Sequence, residues 1–389
     1  MTLSEEQFLY LLRAGLWGRA CGAFPVAALG RLSVGEDSVP DWQGILRLAR
    51  QQSVLLLVQD GLEVLLEAEP QWAQEGKALP PMHLLKLQRF RGKTAKAHAE
   101  LEDLMGEILA ALSADGLHPV VLKGEPLSTY YLHPESRSCG DIDLWVPPQE
   151  WKRAASCLSE RLEDGERNNR HRAYSSGANE VELHFQALEL ENPFRQRAFR
   201  RYSEQELKEN TRPCALPLTG LKLQVPSEGF NALFILAHAF HHFIEGGVGL
   251  RQLCDWVRVL EHSSWDAAAL AALQDQLRQF ALTKAWQVFG FIAVQFLGLP
   301  KEKLPFYNPR AVKDAAKVLA LILSEGNFGR YGKGKLGKDA EEGYLSKKNK
   351  SLRLGFRRLF AKSSIFPSET IFYLPRWAAQ AFRRLRRGK

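Results

Sequence analysis

Apolar residues in the first ninety positions recur at three- and four-residue spacing, the period of a helix that buries one face. Ser4 and Gln7 have the spacing of a capping box ahead of "FLYLLRAGLWG", and "DWQGILRLARQQSVLLLVQDGLEVLLE" keeps the pattern over several turns. "ALPPMH" interrupts it, and "LLKLQRFRGKTAKAHAELEDLMGEILAALSADG" then predicts a long helix that stops at Gly116. From residue 118 the period changes. "HPVVLKG" is a short apolar run closed by a glycine and predicts a buried strand; "EPLSTYYL" suits a helix and "IDLWV" a second strand. "PPQEWKRAASCLSERL" begins with prolines and continues as an amphipathic helix, and "HRAYSSGANEVELHFQAL" predicts a hairpin because "SSGAN" separates two strand-like runs. Past Pro226 the helical period returns until about residue 325, and "GNFGRYGKGKLGK" reads as a loop or linker. The predicted fold is therefore an α/β (α+β) core with a small mixed sheet at residues 95–225, flanked by helical regions at 1–94 and 226–328. A basic, partly amphipathic tail occupies 329–389.

The chemistry concentrates in "LKGEPLSTYYLHPESRSCGDIDLWV", residues 122–146. Alternate strand residues share a face, so Asp141 and Asp143 point one way while Ile142, Leu144 and Val146 point into a core. Two carboxylates this close repel each other unless a cation lies between them, and Mg²⁺ (or Mn²⁺) takes such oxygen ligands. In "NEVELHF", Glu182 and His184 alternate with Val181, Leu183 and Phe185, which supplies a third acid on a second strand. Three acids on adjacent strands can serve two metal ions.

"LKG…Y…P…R…GDIDLWV…VELHF" resembles the nucleotidyltransferases that share the DNA polymerase beta-like core, and more narrowly a bacterial family of uncharacterised nucleotidyltransferases. The specific likeness covers about residues 118–190; "LAHAFHHFIEGGVGLRQLCDW" and "GNFGRYG" extend it over most of the chain. The resemblance implies Mg²⁺-dependent transfer of a nucleoside monophosphate from an NTP, such as ATP, to an acceptor hydroxyl or phosphate. It implies that Asp141, Asp143 and Glu182 are catalytic and ligate metal, and that Lys123, Gly124 and Arg137 bind the nucleotide. Free N–H groups near Pro126 would meet the phosphates. The sequence departs from the superfamily at Glu125, where a small residue, often Ser, is usual; the side chain is expected to point away from phosphate.

His238 and His242 lie four apart on one helical face, a spacing that suits zinc if further ligands exist. With His184, Arg251 and Asp255 they are alternatively candidates for the acceptor side of the site. Cys139, beside the two aspartates, is a candidate reactive thiol. Two other functions use the same residues: a glycosyltransferase holding a sugar nucleotide through its D-x-D, and an inactive binding or scaffold protein spoiled by Glu125.

Charge sharpens the division of the chain. Residues 330–389 carry 17 Lys and Arg against four Asp and Glu, a net of +13; with +8 overall, the remainder carries −5. A tail of this sign suits docking on the acidic body, an anionic membrane surface or another polyanion, in that order, and no specific nucleic-acid motif is present. "AWQVFGFIAVQFLG" is too short to span a bilayer, the start lacks the basic region of a signal peptide, and five scattered cysteines form no disulfide framework. The expected location is cytoplasmic, peripheral to the membrane if the tail binds lipid.

Overall fold

The computed structural model describes residues 1–20, 40–68, 78–138, 140–168, 170–329, 331 and 355–386, with side chains described as far as 379. Cys139 and residues 332–354 lie outside the described residues, and with them most of the "GNFGRYGKGKLGK" segment and the start of the tail.

The first helix, α1 (Leu3–Trp17), is capped two residues earlier than its sequence suggests: Thr2 Oγ1 accepts from Glu5 N, and Glu5 Oε2 accepts from Thr2 N. Ser4 and Gln7 instead bind Asp41, which caps α2 (Trp42–Gln51). The apolar run through this region is two helices, because Ser53 turns left-handed (φ 57°) before α3 (Leu55–Ala68). α1 and α3 touch backbone to backbone: a Cβ on Gly15 would lie 1.8 Å from the Leu57 carbonyl oxygen, so only glycine fits. α4 (Pro81–Ala114) ends as expected, with Gly116 at φ 70°.

The sheet has seven strands rather than the four expected. In chain order they are β1 (Val120–Val121), β2 (Ile142–Trp145), β3 (Glu163–Arg167), β4 (His171–Ser176), β5 (Asn179–His184), β6 (Thr211–Ala215) and β7 (Lys222–Pro226). In space they run β3-β4-β5-β2-β1-β7-β6, with β2–β5 and β1–β7 parallel and the other pairs antiparallel. "EPLSTYYL" forms a short 3-10 helix, Glu125–Tyr130, between β1 and β2.

Alternation along β2 and β5 sorts the two faces. Val121, Ile142, Leu144, Val181 and Leu183 pack beneath Leu101, Met105, Ile108 and Leu112 of α4 and Leu158 of α5 (Trp151–Ser159). Val120 and Trp145 join a larger core on the opposite face, which includes α1–α3 and the C-terminal helices. Those helices follow α6 (Pro193–Glu209) and are α7 (Glu228–Glu245), α8 (Leu250–His262), α9 (Ala267–Gln279), α10 (Thr283–Gln295) and α11 (Val312–Glu325). The buried Gln52 side chain ties the N-terminal helices to this group: it donates to the Ile322 carbonyl and accepts from Leu250 N.

The tail helices α12 (residues 355–363) and α13 (Pro367–Arg386) dock on the C-terminal helices. Leu359, Ile365, Phe366 and Tyr373 are buried, and Phe366 packs edge-on to Phe240. Lys362 reaches Glu325 at 3.3 Å, and Arg376 reaches Glu245 at 2.8 Å and Glu191 at 3.1 Å. Part of the tail's positive charge is therefore matched by acids on the body. Among the described residues, no helix is long and apolar enough to cross a membrane.

Candidate active site

Two parallel strands bring the acids together. Asp143 lies in β2 directly opposite Glu182 in β5, and Trp145 lies opposite His184; Asp141 sits in the approach to β2, one residue before the strand. β4 sets His171 opposite His184 on the same face. One oxygen from each of Asp141, Asp143 and Glu182 lies within 4.8 Å of the others, and Asp143 is fully buried. Three oxygen donors converging in this way fit a hard divalent cation. Glu182 also belongs to a trio with His171 and His184 whose ligand atoms are equally close.

The charges around this cluster are strongly coupled. Lys123 Nζ lies 2.6 Å from Asp143 and 3.3 Å from Asp141. Burial opposes the lysine's charge, but Asp141, Asp143 and Glu182 outweigh it and hold its pKa above the usual range. Lys123 in turn holds Asp141 well below the usual carboxylate range, against the effect of burial. His184 Nε2 bridges Asp143 Oδ1 (2.9 Å) and Glu182 Oε2 (3.0 Å). Burial would neutralise this imidazole; its two hydrogen-bonded carboxylates raise it to about 9 instead. Glu182 is half-buried, which would raise it, yet the hydrogen bond and charge of His184 and the charge of Lys123 bring it down to about 2. Asp141 and Glu182 are thus held ionised, as metal ligands must be, whereas burial and the neighbouring Asp141 charge raise Asp143, a conflict that a bound cation would relieve.

Gly124 is fixed by geometry. Its φ of 79° is left-handed territory, and a Cβ there would lie 2.9 Å from the Asp141 carbonyl oxygen. Any side chain would push the Asp141 loop away from β1. The 3-10 helix that follows has little to offer phosphate, contrary to the expectation near Pro126. Pro126 has no N–H, and Leu127 N already bonds the Gly124 carbonyl at 3.1 Å. Glu125 turns away as expected: it is buried, with its carboxylate on His98 Nδ1 of α4.

Arg137 does not stand ready for phosphate. Its Nε and Nη2 grip both oxygens of Asp255 at 2.8 and 3.0 Å, and Tyr131 adds a third hydrogen bond to that carboxylate. Asp255 is correspondingly occupied, 118 residues away in sequence, and the pair braces α8 against the loop leading to Asp141. Arg251 takes the open position. Its Nη1 bonds the Ser138 carbonyl at 3.1 Å, while its buried Nε has no hydrogen-bond partner among the described residues.

These groups line one cavity of about 210 Å³, whose lining includes Lys123, Asp141, Glu182 and His184 of the charged cluster and the rings of Phe234, His238, His242 and Phe328. His238 and His242 do not form a zinc site among the described residues. Their Nε2 atoms are 3.2 Å apart in a mutual hydrogen bond, and neither belongs to any cluster of metal-ligating groups. Burial and the neighbouring histidine and lysine charges bring His242 down to about 3 and push His238 well below the usual range. His241, the third of the run, is buried and reaches Glu245 at 3.1 Å. His171, Arg170, Phe234 and Phe328 are pocket residues that the sequence reading did not single out. For His171 a signal existed, since in a predicted hairpin strand it shares a face with Ala173, and the two lie opposite His184 and Glu182.

The model of a family described as uncharacterised nucleotidyltransferases matches residues 38–298, and the chain belongs to that family. The matched stretch contains every residue lining the cavity except Phe328. No curated protein and no solved structure matches the chain.

Proposed function

We propose, with family membership as the premise, that this protein transfers a nucleoside monophosphate from an NTP to an acceptor hydroxyl or phosphate and releases pyrophosphate. One observation carries the proposal: the in-register pairing of Asp143 with Glu182, which with Asp141 gathers three carboxylates at the edge of a cavity that Asp141 and Glu182 line. These three residues would hold Mg²⁺ or Mn²⁺, which when bound supplies charge neutralisation at the triphosphate and a more acidic attacking oxygen. Lys123 and Arg251 are the cations placed to meet phosphate oxygens, and Gly124 lets the backbone approach them. Arg137 and Asp255 act on this reading as a brace that positions the Asp141 loop, and His184 fixes the orientation of Asp143 and Glu182. His238 and His242 line the same cavity, next to Phe328.

The two alternatives lose support. A single two-residue strand precedes the aspartates among the described residues, unlike the larger sheet a D-x-D glycosyltransferase would need. Glu125 is turned onto His98, so it does not by itself spoil phosphate binding. The test is pyrophosphate release from each NTP, with and without Mg²⁺, in wild type and Asp141→Asn. Mg²⁺-dependent release that the substitution removes supports transfer; release indifferent to both overturns it.

A second part of the proposal concerns location. Phe356, Phe360, Ile371 and Leu374 of α12 and α13 are exposed beside Arg357, which suits an anionic membrane surface. Co-sedimentation with vesicles containing phosphatidylserine, but not with neutral vesicles, would support it. Equal recovery in both supernatants would refute it.

A further inference from the structure

Phe328 holds a backbone conformation that an L side chain adopts only at a cost. It lies at φ 53° and ψ 28° within the turn Asn327–Gly329, yet its side chain is 39% exposed. Burial of the ring therefore does not account for the strain.

The turn is held from several sides. Asn327 Nδ2 donates to Ser53 Oγ at 3.0 Å, and its Oδ1 accepts from Gln252 Nε2 at 3.1 Å. Gly329 is packed so closely that a Cβ would lie 1.9 Å from the Gly246 carbonyl oxygen. Ser53 is itself left-handed, and its carbonyl accepts from Ser138 in the loop that leads to Asp141. The same strained hub thus fixes both the acidic loop and the turn carrying Phe328. Backbone strain maintained by surrounding contacts is a recurrent property of ligand-clamping residues.

The ring continues a run of aromatic contacts along the cavity. Phe328 meets His242 edge-on with centroids 5.1 Å apart, His242 meets His238 at 4.5 Å, and His238 lies 6.1 Å from Phe234. All four line the cavity that holds Asp141 and Lys123. A ligand that fills both sides needs an anionic, metal-chelating end and a flat π-rich end.

We infer that Phe328 is the stacking platform for the heteroaromatic base of the nucleotide, presented by the turn at residues 326–329. This deepens the nucleotidyltransferase reading and rests on it. Base–aromatic stacking tolerates every base, so the platform would supply affinity with little base selectivity.

The experiment is calorimetric titration of NTPs and of inorganic tripolyphosphate, both with Mg²⁺, into wild type, Phe328→Ala, Phe328→Leu, Phe328→Trp and Phe328→Gly. Tripolyphosphate keeps the chelating end and lacks the base. The expected result is a loss of roughly ten- to a hundredfold in NTP affinity for the Ala, Leu and Gly variants, with Trp near wild type. Tripolyphosphate affinity stays within about twofold throughout, as it does not reach the stack. Phe328→Gly, which relieves the left-handed strain, melts at a higher temperature than Phe328→Ala while binding NTP no better. Wild-type NTP affinity in Ala and Leu overturns the platform alone, as does an equal loss for NTP and tripolyphosphate. Failure of wild type to bind any NTP overturns the nucleotidyltransferase reading and the platform with it.

Discussion

Two histidines in one cavity have been driven in opposite directions. His184, buried on the sheet, is raised to about 9, and His242, half-buried on α7, is lowered to about 3. The difference lies in their partners. His184 has a carboxylate on either side of Nε2, whereas His242 is hydrogen bonded to another histidine and edged by Phe328. Burial alone disfavours an imidazolium; two hydrogen-bonded carboxylates reverse that at His184, and neighbouring histidine and lysine charges reinforce it at His242. The cavity lining thus joins a charged cluster on the sheet, its floor, to an uncharged histidine pair on α7, its wall.

The hardest blow to this contrast is removal of an acid from the floor. Asp143→Asn should weaken metal binding by more than the roughly ten- to hundredfold typical of groups that only support a ligand. The EPR signal of free Mn²⁺ during titration measures it, and an unchanged affinity would remove Asp143 from the ligand set. The next residue of the same strand tests the opposite face. Leu144 is fully buried, so Leu144→Ala should cost about 2–5 kcal/mol in denaturant unfolding while leaving turnover per folded molecule near wild type.

Smaller effects separate floor from wall by pH, measured on metal-free protein with a chelator present. His184 is raised from its usual 6.5, so its stabilising contribution is complete below pH 6.5 and is lost as pH rises through about 9. His184→Gln should flatten that alkaline limb of the melting profile. His242 is depressed from 6.5, so the unfolded chain takes up its proton first and stability is lost as pH falls from 6.5 toward about 3. His242→Phe should reduce the acid limb and leave the alkaline one unchanged. If both substitutions changed the same limb, the contrast between the two sides would fail.

The charged floor was more legible in the sequence than the wall. Asp141, Asp143, Glu182 and His184 follow from strand alternation, because a period of two fixes which side chains share a face. The hairpin and the stop of α4 were legible from Gly177 and Gly116, both left-handed in the structure. Other elements hide for physical reasons. β3 is exposed along its whole length and β6 contains Pro213, so neither shows the apolar pattern of a buried strand. Arg137 looked free for phosphate because its partner, Asp255, lies 118 positions on. Phe328 sits in a segment that composition reads as a flexible loop. Its left-handed backbone depends on Ser53, Gly246 and Gln252, which no local pattern connects to it.

The most direct test of the floor as a metal–nucleotide site is calorimetric titration of each NTP into wild type and an Asp141→Ala/Asp143→Ala double variant, with and without Mg²⁺. The account requires NTP binding that depends on Mg²⁺ in wild type and disappears in the double variant. Binding of equal strength in both proteins, or in wild type with the metal withheld, would contradict it.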